Sequence, residues 1–137
     1  MKYLFLLAVC AAAYGQALPG IPELGDTLPP FAQANHVAAA AITHQGAPAL
    51  SLTFGTDTAW PNLYFKAEPS WAWQDYAGIR VGLHNPGDTA VAVSLRVDNA
   101  GANGSEHCNT TQQLVAPGKG ADLTLYFSTV DRKRFWG

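Results

Sequence analysis

The densest run of hydrogen-bonding side chains in this sequence is Asp98-Asn99-Ala100-Gly101-Ala102-Asn103-Gly104-Ser105-Glu106-His107-Cys108-Asn109. Sugar hydroxyls donate and accept at once, and Asp98, Asn99, Asn103, Glu106 and His107 offer short, orientable partners for them. A loop on a rigid scaffold is where binding residues usually sit. The same residues can instead satisfy a long loop's own backbone through Asx turns. Both readings stand at this point.

Aromatic residues form a second group. Trp60, Trp71, Trp73 and Tyr76 fall in one short span containing Pro and Asp. An exposed tryptophan such as Trp73 can stack on the apolar face of a sugar ring at little entropic cost. Large aromatics are also mostly buried, so Trp71 and Trp73 can equally pack into one edge of a core. A third group is Arg80, His84, Arg96 and Tyr126, each on the outward side of an alternating run, which together could form a polar sheet face.

Catalytic chemistry is harder to assemble. A glycosidase needs two carboxyl groups facing each other across a sugar. Among the 10 acidic residues, only Asp98 and Glu106 share a loop, and a strand-end cap plus a solvated side chain accounts for them. His107 and Cys108 are neighbours, so on an extended segment they point to opposite faces and cannot form a dyad together. The 4 histidines and 2 cysteines lack zinc-ligand spacing. Asp98, Asn99 and Glu106 could supply oxygen ligands to a structural calcium, although no calcium-loop pattern is present. The glycines at 101, 104, 118 and 120 do not lie between a buried strand and a helix as a phosphate loop requires. There is no Gly-x-Ser-x-Gly elbow. No cofactor is expected, and the chain by itself is not expected to be an enzyme.

The elements that must position these residues follow from periodicity. Leu50, Leu52 and Phe54 alternate with polar or small residues, as do Leu63 and Phe65; Ile79, Val81 and Leu83; Val91, Val93, Leu95 and Val97; and Leu123, Leu125 and Phe127. Period two puts one face in a core and the other in water. Asn35 to Thr43 is alanine-rich and compatible with a short helix or a first strand; its context favours the strand. Asn85-Pro86-Gly87-Asp88 has the composition of a type II turn and predicts a hairpin joining strands at 79–84 and 89–98. Pro117-Gly118-Lys119-Gly120 is a second break. Short strands separated by turns predict an all-β fold, a jelly-roll or galactose-binding-like β-sandwich of antiparallel strands.

The N-terminus has the features of a secretory signal. Lys2 supplies the positive start, and Tyr3 to Ala13 is apolar but too short to span a bilayer as a helix. Ala13-Tyr14-Gly15 predicts cleavage after Gly15, with Ala17 a close alternative. Val9 precedes Cys10 where a lipoprotein signal wants a small residue. Residues 1–15 are read as a signal peptide, 16–35 as a Pro-rich lead-in, and 36–137 as the β-sandwich domain. The processed chain is expected to be secreted or periplasmic, with no membrane segment. It keeps one cysteine, Cys108, which cannot form an internal disulfide. With 137 residues and a formal net charge of −2, the chain has the length of one domain. It also lacks the basic run that nucleic-acid binding uses.

Three stretches resemble a known family. They are Pro69-Ser70-Trp71-Ala72-Trp73-Gln74-Asp75-Tyr76-Ala77-Gly78-Ile79, His84-Asn85-Pro86-Gly87-Asp88, and Arg96-Val97-Asp98-Asn99-Ala100-Gly101-Ala102-Asn103-Gly104. Together they are similar to the N-terminal carbohydrate-binding-module-like domain of glycoside hydrolase family 50 β-agarases. Arg134-Phe135-Trp136-Gly137 looks like the segment leading into that family's catalytic barrel. Ala72 departs from the acidic residue that the family tends to carry between its two tryptophans. The family's catalytic glutamates belong to the barrel and have no counterparts here. The resemblance implies a jelly-roll accessory domain that binds an agar-type polysaccharide or oligosaccharide, or one that packs on a glycoside hydrolase barrel without binding sugar.

Overall fold

The computed structural model describes residues 2–7, 32–66, 77–130 and 133–135. These form strands and turns, and no helix among them is long and apolar enough to cross a membrane. The strands are β1 (Lys2–Leu7), β2 (Ala32–Asn35), β3 (Val37–His44), β4 (Ala47–Phe54), β5 (Asn62–Phe65), β6 (Gly78–His84), β7 (Val91–Asp98), β8 (Cys108–Val115), β9 (Gly120–Tyr126), β10 (Ser128–Val130) and β11 (Lys133–Phe135). One sheet has five strands in the order β3-β4-β1-β6-β9, and β2-β5, β7-β8 and β10-β11 form separate pairs. Every ladder is antiparallel. The all-β, antiparallel expectation holds.

The core lies where the alternating apolar faces meet. Ile79, Val81 and Leu83 of β6 are buried with Leu123 and Leu125 of β9, Phe127 and Val115, and Val93, Leu95 and Val97 of β7 pack against them. The β7–β8 pair thus covers β6 and β9. A second cluster joins Val37, Leu50 and Leu52 to Leu63 and Phe65 of β5, and Phe54 touches both clusters. Burial alternates residue by residue along β7, as a strand with one face on a core requires.

Ala32–Asn35, at the end of the stretch read as a lead-in, is strand β2, paired with β5. Lys2–Leu7, in the stretch read as a leader, is β1 and lies between β4 and β6.

The predicted hairpin at Asn85-Pro86-Gly87-Asp88 does not form. β6 pairs with β1 and β9, and β7 pairs with β8. Gly87 does not take the positive φ of a type II turn; the described glycines that do are Gly46, Gly101, Gly104 and Gly118. The segment instead carries the chain from the five-stranded sheet to the strand pair covering it, and Asn85 fixes that crossing. Its side chain is fully buried. The amide nitrogen donates to Thr89 O (2.8 Å) and Val115 O (3.0 Å), and Oδ1 accepts from Gly87 N (3.0 Å). The Asn85 backbone completes the arrangement, donating to Lys119 O and accepting from Gly118 N. The second break docks on it, with Lys119 N donating to Ala116 O and Gly118 at φ 64. Pro117 at the second position and a left-handed glycine at the third make it a type II turn.

Candidate functional site

The polar run of residues 98–109 is the closure of the β7–β8 hairpin. Asp98 and Cys108 are the last paired residues of its ladder, and residues 99–107 form the loop between them. Arg96 and Asp98 are two apart on β7 and share its outward face. The Arg96 guanidinium grips the Asp98 carboxylate through Nε and Nη2, the latter at 2.6 Å. This is the bidentate fork that arginine forms with a carboxylate. The hydrogen bond to Asp98 raises the Arg96 pKa above its ordinary value, with desolvation acting the other way. Arg96 also reaches the far side of the loop, since a Cβ placed on Gly104 would lie 3.6 Å from its Nη1.

Asn103 organises the loop interior. Its Oδ1 accepts from Ser105 N (3.0 Å) and Glu106 N (2.8 Å), and its Nδ2 donates to Glu106 Oε2 (2.9 Å). The loop backbone closes on itself through Asn99 N to His107 O, Ala102 N to Asn99 O, and Asn103 N to Glu106 O. Positive φ at Gly101, Gly104 and His107 lets so tight a path form. At the base, Asn109 Nδ2 donates to Tyr126 O (2.8 Å), tying the hairpin to the end of β9.

The structure therefore brings Asp98, Asn99, Asn103, Glu106 and His107 into one loop, with internal bonding of the Asx-turn kind. Asp98 is taken up by Arg96 and Asn103 by its neighbours. Glu106 and His107 stay exposed, on backbone bonded through Asn99 N to His107 O and Asn103 N to Glu106 O. Among the described residues no group of three or more His, Cys, Asp or Glu could hold a metal ion. Of the three residues that could supply oxygen ligands to calcium, Asp98 is held by the Arg96 guanidinium.

The aromatic group divides. Trp73, Trp71 and Tyr76 lie outside the described residues. Trp60, in the connection from β4 to β5, is 80% exposed, against the tendency of tryptophan to be mostly buried. Its carbonyl accepts from Asn62 Nδ2.

The proposed polar face also divides. Arg96 belongs to the β7–β8 pair, whereas Arg80, His84 and Tyr126 belong to the five-stranded sheet. His84 is half-buried, with its ring 4.9 Å from that of His44. Arg80 and Tyr126 remain together in a shallow depression with Gly78, Asp122 and Thr124, where the guanidinium approaches Asp122 at 4.0 Å. Tyr126 is 73% exposed and pairs in register with Gly78. Gly78 is required there, because any Cβ would collide with the Leu125 carbonyl oxygen. Through Asn109 and the Tyr126 backbone, this depression and the polar loop lie at one end of the molecule.

Sequence reasoning missed one pair. His36 Nδ1 lies 2.9 Å from Asp57 Oδ2 beside an open depression formed by Val37, Thr53, Phe54 and Thr56. The partners are 21 residues apart, so no spacing rule joins them. His36 also has a φ of 52, and its carbonyl accepts from Gly55 N. The strain at His36 therefore serves the β2–β3 bend.

No family model matches this chain, and no curated protein or solved structure is significantly similar to it.

Proposed function

We propose that the chain is a secreted, non-catalytic module of jelly-roll build that binds an agar-type galactan beside a glycoside hydrolase of the agarase kind. The observation that carries this reading is the β7–β8 loop, where Asn103 and the Arg96–Asp98 fork pre-form a surface that presents Glu106 and His107. Preorganised polar groups lose little entropy on binding. The exposed Tyr126 ring at the same end supplies an apolar platform of the kind on which sugar rings stack. The likeness of residues 96–104 to the agarase accessory domain supports an agar-type polysaccharide as the ligand.

Changing both Asn99 and His107 to alanine tests the loop. Mobility in agarose-containing native gels should lose its retardation, while the far-ultraviolet circular dichroism stays that of the parent. Unchanged retardation would remove the loop from the binding site.

A second reading has its own support. Leu114 of β8 is 64% exposed, and an apolar residue there suits a domain that packs on a hydrolase barrel without touching sugar. A folded chain retained on no polysaccharide would favour it.

A further inference from the structure

We propose that the gap between β4 and β6 is an exchangeable strand site. Lys2–Leu7 fills it in the unprocessed chain, and an extended, proline-free apolar segment of a partner protein fills it after export processing. The inference is independent of sugar binding and rests on the leader being removed.

The register defines the site. Lys2 to Leu7 pair antiparallel with Phe54 to Ala49 of β4, and Phe5 to Leu7 pair antiparallel with His84 to Gly82 of β6. β4 and β6 therefore run parallel to each other on either side of β1. Position 6 faces Leu50 on one side and Leu83 on the other, and both leucines are 2% exposed. Removing residues 1–15 takes that strand from the middle of the sheet. It leaves two facing rows of unpaired N–H and C=O groups beside buried leucines. Such rows are templates for strand addition.

The chain's own lead-in is a poor replacement. A central strand needs every N–H facing its neighbours, which excludes proline. Pro19, Pro22, Pro29 and Pro30 break the lead-in and leave Glu23-Leu24-Gly25-Asp26-Thr27-Leu28 as its longest proline-free run. In that run Asp26 shares a face with Leu24 and Leu28, so either pleat sets a carboxylate or glycine at the centre of the slot. The segment the slot accepts has apolar residues at alternate positions and runs antiparallel to both neighbours, as the leader does.

The test uses the chain exported with its own leader, its intact mass measured, beside the full chain made without export. Amide hydrogen exchange is followed at Ala49–Phe54 and Gly82–His84. The probe is a synthetic Lys-Tyr-Leu-Phe-Leu-Leu peptide with a lysine tail for solubility. The expected result is slot-facing amides that exchange at least roughly tenfold faster in the processed chain than in the full chain. The peptide should restore their protection, and the same peptide with proline at its fourth position should not. If the processed chain is unfolded alone, the peptide should restore its β-sheet circular dichroism while the proline peptide does not. Four results overturn the proposal: residues 2–7 retained in the exported chain; full protection without peptide, by self-closure or by pairing with a second copy; equal action of the two peptides; or no response to either.

Discussion

Two asparagines mark two regions of this molecule that the sequence presents in similar dress. Asn85 and Asn103 each sit in a connection with a glycine close by, and each side chain accepts a backbone N–H two residues ahead. Asn85 is fully buried and its amide reaches across to Val115. Asn103 is exposed, and its bonds stay within its own loop. The first fastens the β7–β8 pair to the five-stranded sheet; the second shapes a surface. The difference lies in what the side-chain amide finds after the local turn is made. A buried amide that bonds a neighbouring carbonyl and a buried one 30 residues away holds the fold, because losing it leaves the buried carbonyl unpaired. An exposed one gives its loop a shape, and water replaces what it loses.

Substitutions should separate these roles, and the largest effect belongs to the core both regions rest on. Leu83→Ala should lower unfolding free energy by about 2–5 kcal/mol in urea, the usual range for a buried leucine. Asn85→Ala should cost about 2–3 kcal/mol, since Thr89 O and Val115 O lose their donor. A cost below about 1 kcal/mol would mean that the crossing does not depend on this side chain. Asn103→Ala should cost about 1 kcal/mol or less in stability, as solvent can serve its exposed partners. It should nonetheless weaken agarose retardation roughly tenfold, by loosening the loop that presents Glu106 and His107. Equal loss of stability in the Asn85 and Asn103 variants would erase the distinction. Arg96→Lys should have the smallest effect on stability, a few tenths of a kcal/mol at an exposed pair. It should still shift loop resonances near Gly104, because lysine lacks the planar fork.

The same contrast explains how much the sequence made legible. Strands β4, β5, β6, β7 and β9 were readable because each puts one face on a core, and burial writes itself as period two. β8 was not, since Thr110, Thr111, Gln112 and Gln113 are polar and only Val115 at its end is buried. Strand pairing was the larger failure. Asn85-Pro86-Gly87-Asp88 has hairpin composition, but turn residues report local geometry. Which strand lies alongside depends on contacts far along the chain, such as Asn85 to Val115, 30 residues away. For the candidate site, the polar loop was legible as a cluster, and the Asx-turn alternative anticipated its internal bonds. The Arg96–Asp98 fork follows from two residues on one strand face. The pairing of His36 with Asp57 and the setting of Tyr126 beside Gly78 depend on register and left no local signal.

The proposed galactan site lies at the end of the molecule that carries the β7–β8 loop and Tyr126. The most direct measurement is retention of the exported chain on insoluble agarose, with cellulose, chitin and xylan alongside. A galactan site there should give retention on agarose alone, released by soluble agar oligosaccharides. A folded chain that passes through all of them unretained, or is held equally by every one, would contradict it.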